Sequence, residues 1–303
     1  MNTPTRLALF ALGLAAVFAG ATGVGQAVGP IAARSEPGSD ARDAVRSPKV
    51  GEPVTDTPGG LQVSERGYTL QLPEPTLPEG PWPLAVAVLG PDGHPATAYQ
   101  TTEGQQVHLV LVRRDLSGYR HLHPRRSSGA AWTAPVALSP GTYRLLAEFH
   151  PVGETRELTL GIDFIVPGSV HPGLLPAPSA TDYPDGGYPD GGYEVTLDGS
   201  LRSGEVSRLT VTARRPGTVA TDPQPYSIAS GHLVVLRAGD LASLRVHRDG
   251  STLRFDVEVP SPGTYRLYFD FTDRNTVTTA EFTAVAAPPA APAPTGTGGG
   301  HGG

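Results

Sequence analysis

Residues 139–149 read SPGTYRLLAEF, and residues 261–271 read SPGTYRLYFDF. In both stretches a Pro-Gly turn leads into a segment with mainly aromatic and aliphatic side chains at every second position. Successive side chains of a β-strand point to opposite faces, so this alternation predicts one strand in each stretch with an apolar face turned to a core. The predicted core side chains are Tyr143, Leu145, Ala147 and Phe149 in the first stretch and Tyr265, Leu267, Phe269 and Phe271 in the second.

Similar alternations, in shorter segments, occur on either side of these two strands. Examples are LQVSERGYTLQL at 61–72, PLAVAVLG at 83–90 and LTLGIDFIV at 158–166. Pro, Gly, Asp and Ser separate the segments, and helical periodicity is almost absent between the two ends of the chain. Many short strands at a spacing of roughly 8–12 residues are typical of β-sandwiches. The sequence therefore predicts an all-β fold of the immunoglobulin-like, antiparallel sandwich type.

A second pair of related blocks shows that the chain contains an internal repeat. HLVLVRRDL at 108–116 matches HLVVLRAGDL at 232–241, and each block precedes its SPGTYRL strand at nearly the same distance. Two separated blocks in the same order indicate a duplication. A unit of about 100 residues can bury its own core. We therefore predict two tandem domains, at 61–167 and 193–285.

The segments outside these domains have a different composition. We predict a disordered linker at 31–60, a Pro/Gly-rich linker with a doubled YPDGG at 168–192, and a disordered tail at 286–303. The hydrophobic segment at 1–30 predicts an N-terminal helix, because residues 7–33 carry no charge and a bilayer span needs about 20 residues. This helix is either an uncleaved membrane anchor or a signal peptide that is cleaved near Ala19.

These features predict export. An anchored chain would hold its β-domains on the extracytoplasmic side of the cell membrane, with the N-terminal segment in contact with the membrane. A cleaved chain would be secreted instead. Both alternatives stay open at this point.

The composition excludes several classes of protein. The 303 residues contain no cysteine, and the one methionine is Met1, so disulfides, zinc fingers, iron–sulfur clusters and thioether sites are ruled out. A net charge of −6 argues against a nucleic-acid partner. No GxSxG, P-loop or HExxH motif is present. We therefore predict no catalytic residues and a protein that is not an enzyme.

Histidines in the first unit form a candidate metal site. His121 and His123 are two residues apart, so on a strand their imidazoles share one face. His108 opens the preceding strand, and Glu148, or His150 beside it, ends a later one. Imidazole and carboxylate ligands suit Cu(II), Zn(II) or Ni(II). The alternative is that these histidines are structural or exposed, and that the arginines around them disfavour a cation.

The second unit offers fewer metal ligands. His232 and His247 are 15 residues apart, as are His108 and His123, but Arg245 stands where His121 aligns. The acids Glu148 and Asp270 occupy matching positions in the two repeats. Their simplest interpretation is a strand-to-strand ion pair in each unit, which is worth about 0–1 kcal/mol when exposed.

The blocks HLVLVRRDLSGYRHLHP…SPGTYRLLAEF and HLVVLRAGDLASLRVH…SPGTYRLYFDF resemble an uncharacterised family of exported, membrane-anchored proteins of high-GC bacteria. The resemblance implies two related β-sandwich units and a loose link with heavy-metal or copper handling. The second unit of that family usually reads LHVH where this chain has Leu-Arg-Val-His at 244–247. Family members often carry a longer His-rich tail, which here is reduced to His301.

Two hypotheses for the function follow. The first is an extracytoplasmic protein that binds a divalent metal, such as Cu(II) or Zn(II), through the histidines of the first unit. The second is a structural or protein-interaction module with an unknown protein partner and no metal.

Overall fold

A computed structural model describes residues 49–54, 57–102, 104–127, 130–184, 192–214, 231–273 and 276–288. The predicted N-terminal helix at 1–30 and nearly all of the predicted tail lie outside these ranges. Within them, no α-helix occurs and no helix could cross a membrane. The described chain is built from β-strands in antiparallel sheets.

The first sandwich has ten strands in two sheets. They are β1 (Ser64–Glu65), β2 (Tyr68–Gln71), β3 (Gly80–Leu89), β4 (Tyr99–Gln100), β5 (Val107–Arg113), β6 (Arg120–Leu122), β7 (Arg125–Arg126), β8 (Trp132–Leu138), β9 (Gly141–Pro151) and β10 (Leu158–Val166). One sheet has the order β1-β2-β3-β8-β7. The other has the order β10-β9-β5-β6, with β4 also paired to β9.

The second sandwich has a related arrangement, with eight strands in the part of it that the structure describes. They are β11 (Thr181–Asp182), β12 (Glu194–Gly199), β13 (Glu205–Arg214), β14 (Gly231–Arg237), β15 (Val246–Arg248), β16 (Arg254–Val259), β17 (Gly263–Asp273) and β18 (Thr276–Ala286). The sheet orders are β11-β12-β13-β16-β15 and β14-β17-β18.

The strand order identifies both sandwiches as immunoglobulin-like. In the second, β12-β13-β16-β15 faces β14-β17-β18, which is the four-plus-three arrangement of constant-type immunoglobulin domains. Both sandwiches also contain a tyrosine corner at the start of the penultimate strand. The Tyr143 hydroxyl donates to the Ser139 carbonyl at 2.9 Å, and the Tyr265 hydroxyl donates to the Ser261 carbonyl at 2.7 Å. The predicted fold class is confirmed for the two domains.

The predicted inner faces of β9 and β17 lie in the two cores. Tyr143 is buried and stacks on Phe164 of β10 with ring centroids 5.2 Å apart. In the second sandwich Phe269 packs edge-on against Phe255 of β16. Each core contains the whole alternating set of its strand, so the alternation in SPGTYRL identified the inner faces correctly.

The outer faces of the same strands are also buried, because the two sandwiches pack against each other there. On β17, Tyr268 is fully buried although it points away from its own core. Its ring stacks on Tyr119 of the first sandwich, with centroids 3.9 Å apart and planes within 3°. The interface cluster consists of Val110, Val112, Leu116, Tyr119 and Leu146 from the first sandwich and Val234, Leu236, Leu241 and Tyr268 from the second.

The described end of the predicted 31–60 linker differs from a free tether. The amides of Gly51 and Gly59 donate to carbonyls of the second sandwich, and the amide of Gly60 donates to Thr159 of the first at 2.7 Å. The Gly60 carbonyl lies so close to Gly161 of β10 that a Cβ there would be 2.0 Å from it. This segment is therefore bonded to both domains.

Candidate metal centre

His108 lies on the outer face of β5, next to the interface between the sandwiches. The inner residues of this strand, such as Leu109, belong to the first core, whereas Val110 belongs to the interface cluster. Because side chains alternate along a strand, His108 shares the outer face with Val110. It is 4% exposed, so its imidazole is surrounded by protein.

Antiparallel pairing of β6 with β5 brings two more histidines to the same face. The register pairs Leu109 with Leu122 and Val110 with His121. Continued by one residue, this register sets His123, just past the end of β6, opposite His108. His121 and His123 are two residues apart and therefore point to the side of the sheet that carries His108.

The three imidazoles form a compact group. One ligand nitrogen of each, from His108, His121 and His123, lies within 4.8 Å of the others. The Nδ1 atom of His108 is 3.0 Å from the Nε2 atom of His121. The group extends from a buried residue, His108, to an exposed one, His123, so it is open to solvent on one side.

Hydrogen bonds to the outer nitrogens orient two of the rings. His108 Nε2 is 3.2 Å from the Thr102 carbonyl, and His121 Nδ1 is 3.1 Å from Oδ2 of Asp270. A carbonyl and an ionised carboxylate can only accept a hydrogen bond. The ring hydrogens are therefore assigned to His108 Nε2 and His121 Nδ1, which we call the outer nitrogens. The lone pairs of His108 Nδ1 and His121 Nε2 then face each other, and a shared proton or a metal ion satisfies both. Metal-binding histidines typically have this outer arrangement.

The electrostatic environment favours the neutral form of His108. Burial is the main cause that lowers its pKa to about 4, and the neighbouring histidines lower the pKa further. The hydrogen bond to the Thr102 carbonyl acts in the opposite direction and offsets part of this shift. Burial acts to raise the pKa of Asp270, but the hydrogen bond and the charge of His121, together with hydrogen bonds from Thr279 and Tyr119, outweigh it, and the pKa is lowered. Since metal binding requires neutral imidazole, the lowered pKa of His108 suits a metal site.

Of the other predicted ligands, Glu148 lies beside the histidine group rather than in it. It is directly opposite His108 in the β5–β9 register. Its Oε1 accepts from the Ser243 hydroxyl at 3.4 Å, and its Oε2 is 3.9 Å from Nε2 of His232, both in the second sandwich. His150, the alternative to Glu148, is turned to the Glu154 carbonyl.

His247 is not part of this group. It lies on β15, which pairs with β16, and its Nε2 is 3.0 Å from a carboxylate oxygen of Glu258. In the first sandwich the corresponding segment is β6, which joins β5 in the other sheet. The two histidines that align in the sequence are therefore on different sheets.

The sequence interpretation missed two residues at this site, His232 and Asp270. The His232 ring stacks on His108 with centroids 5.5 Å apart, and its centroid is 4.5 Å from that of His121. The signal that could have found His232 was its alignment with His108 in the repeat. Asp270, interpreted as part of an ion pair within its own unit, instead accepts hydrogen bonds from the first sandwich.

Two of the arginines near the histidines have acidic partners. Arg113 lies 3.9 Å from Asp115, and Arg114 forms a salt bridge with Asp163. These carboxylates offset part of the positive charge that the sequence places around the site.

Comparisons with solved structures find immunoglobulin and fibronectin-like modules at low similarity. The fibronectin(III)-like modules of Clostridium thermocellum CbhA are 9% identical, with 73% of this chain and 95% of that chain covered and a TM-score of 0.20. The tandem Ig repeats of Dlar are 10% identical, with 73% of this chain and 98% of that chain covered and a TM-score of 0.22. A chimeric titin Z1Z2 is 14% identical, with 72% of this chain and 96% of that chain covered and a TM-score of 0.19. Similarity this low supports no functional conclusion, and the fold is established by strand order and the tyrosine corners.

Among curated proteins no significant match exists. A family model does match, and it is described as Domain of unknown function (DUF8832). It matches residues 62–164 and again residues 188–288, which together make up about two thirds of the chain. This chain therefore belongs to the DUF8832 family and contains its domain twice.

Proposed function

We propose that this chain is an exported, membrane-anchored protein that binds one divalent metal ion, Cu(II) or Zn(II), on the extracytoplasmic side through His108, His121 and His123. The observation that supports binding is a group of three imidazoles, two of which donate their other ring N–H groups to Thr102 and Asp270. Nitrogen sites of this kind bind Cu(II) more tightly than Zn(II), so copper is the preferred ion.

Glu148 has a supporting role in this proposal. It is opposite His108 in the β5–β9 register, and its carboxylate faces His232, whose ring contacts His108 and His121. A carboxylate near the ligands lowers the electrostatic cost of holding a divalent cation beside arginines. Export and anchoring rest on the uncharged N-terminal segment alone.

Metal analysis of the untagged protein tests the proposed binding. After exposure to Cu(II), Zn(II) or Ni(II) and removal of free metal, we expect one bound equivalent. The double variant His121→Ala, His123→Ala should lose it. The matched control is His94→Ala, because His94 is exposed and outside the group. A double variant that keeps a full equivalent of metal would overturn the proposal.

Fractionation of cells that produce the chain with a C-terminal tag tests the proposed location. We expect the tag in the membrane fraction and accessible to protease from outside the cytoplasm. A pool of full-length protein that stays soluble in the cytoplasm would contradict export, and tagged protein in the medium would show cleavage instead of anchoring.

One surface favours the alternative function, a protein-interaction module. The outer side of β3 and β8 presents an apolar patch that includes Pro81, Pro83 and Pro135. Exposed apolar patches on sandwich domains often mark contact sites. This alternative is supported if the untagged protein takes up no stoichiometric metal, because a pure interaction module has no need of an ion.

A further inference from the structure

The repeat places matching histidine and acid pairs on both sides of the domain interface. In the first sandwich, His108 on β5 is directly opposite Glu148 on β9. In the second, His232 on β14 is directly opposite Asp270 on β17. Both pairs lie on the outer faces, next to the apolar interface cluster, so the two faces bring them together.

Each acid of these pairs contacts residues of the other sandwich. Asp270 of the second sandwich accepts from His121 and, at 2.7 Å, from the hydroxyl of Tyr119. Glu148 of the first sandwich faces Nε2 of His232 at 3.9 Å and accepts from the hydroxyl of Ser243. Each acid therefore faces a histidine of the other sandwich, although His121 and His232 are not equivalent positions of the repeat.

The His232 ring lies beside the group of three imidazoles, in contact with the rings of His108 and His121. Among these four histidines, the pairs in ring contact have centroid separations from 4.5 to 5.5 Å. The ligand atoms within 4.8 Å of one another are those of His108, His121 and His123, so His232 would join them by a turn of its side chain.

We propose that His232 supplies the fourth ligand, so that the bound ion is held by both sandwiches and fastens them together. This inference rests on the proposed function, because the first three ligands belong to the first sandwich. With Nε2 turned to Glu148, His232 would bind through Nδ1, just as His121 has Nδ1 on Asp270 and Nε2 toward the site. Such carboxylate–histidine–metal arrangements are usual for bound histidines.

The same structure explains why the repeat makes one site rather than two. A second, related site would need partners for His232 from its own sandwich. Arg245 occupies the position that aligns with His121, and His247 lies on β15, which belongs to the opposite sheet. His232 is therefore directed to the histidines of the first sandwich.

Zinc and copper titrations of the full chain test the inference. By competition with a chromophoric chelator, we expect His232→Ala to bind Zn(II) at least about tenfold more weakly than wild type, since even loss of an outer partner typically costs that much. His232→Gln should behave alike and keeps the side-chain size. His247→Ala is the matched control and should equal wild type. In both His232 variants, the electron paramagnetic resonance spectrum of the Cu(II) complex should indicate one coordinated nitrogen fewer than in wild type.

Hydrogen exchange tests the fastening of the two domains. In wild type, Zn(II) should slow amide exchange in β5 and also in β14, which carries His232. In His232→Gln, Zn(II) should slow exchange in β5 and β6, where the remaining ligands lie, but not in β14.

The outcomes separate the two proposals. If wild type binds no metal, the proposed function fails and this inference fails with it. If wild type binds one ion and both His232 variants keep wild-type affinity and spectrum, the three-histidine site stands and the inference is overturned.

Discussion

Replacing Tyr268 with alanine should uncouple the two sandwiches. Tyr268 is fully buried, yet it is part of the interface cluster and not of the second core. Its ring stacks on Tyr119 at a centroid distance of 3.9 Å, and its hydroxyl donates to the Leu116 carbonyl of the first sandwich. The substitution therefore removes contacts between the domains and leaves both cores intact.

The expected decrease in the free energy of unfolding can be estimated from these contacts. Truncating a buried aromatic side chain to alanine costs about 3–5 kcal/mol, including the cavity that it leaves. Tyr268→Phe keeps the stacked ring and removes only the hydrogen bond to Leu116, which should cost about 1–2 kcal/mol. The matched control is Tyr183→Ala, because Tyr183 is 51% exposed, and it should stay within about 0.5 kcal/mol of wild type.

Urea denaturation with separate probes for the two sandwiches measures this effect. The intrinsic fluorescence of Trp82 and Trp132 reports on the first sandwich, since both tryptophans are there. We expect one shared transition in wild type and two separate transitions in Tyr268→Ala. A Tyr268→Ala protein that loses less than about 1 kcal/mol, with its transitions still coincident, would refute the interface as the structure shows it.

Three further perturbations test the first core, the segment at Gly60 that is bonded to both domains, and the histidine site. Tyr143→Asp should cost several kcal/mol because it buries an unpaired charge in the first core; a variant with the wild-type melting temperature would contradict the assigned face. Gly161→Ala should free the segment at Gly60, because its Cβ would be 2.0 Å from that carbonyl, and faster amide exchange at Gly60 would show it. The pKa of His108 is about 4 in the fold, below the unfolded value of 6.5, so the unfolded chain takes up the proton first and stability falls as the pH drops from 6.5 toward 4. Urea titrations at pH 7.5 and 5 should differ by about 2 kcal/mol more in wild type than in His108→Gln; equal differences would contradict a buried, neutral His108.

Much of the architecture could be predicted because it depends on local alternation. The two-residue period of SPGTYRLLAEF and SPGTYRLYFDF shows which side chains share a face, and the structure has those faces in the two cores. The repeat of these blocks likewise indicated two similar domains. The placement of His121 and His123 on one face followed from strand geometry, since i and i+2 side chains share a face. Their approach to His108 depends on the pairing of β6 with β5, which the sequence offered only as a condition.

What the alternation could not show is what covers the outer face of a strand. Residues such as Tyr268 and Asp270 alternate with core residues whether water or another domain lies beyond them. In the fold, Oδ2 of Asp270 accepts from His121 and Tyr119, about 150 positions away in the chain. The burial of these outer faces is a property of domain packing, and no local pattern encodes it.

Local patterns in the chain were enough to predict the strands, their inner faces, the duplication and the shared face of His121 and His123. The folded domains establish which sheet each short strand joins, and this separates His123 from its counterpart His247. They also show that His232 and Asp270 arrive from the second sandwich to complete the surroundings of the site. A strand of three residues forms too few backbone hydrogen bonds to specify its sheet, so the packing of its side chains in the folded domain makes the choice.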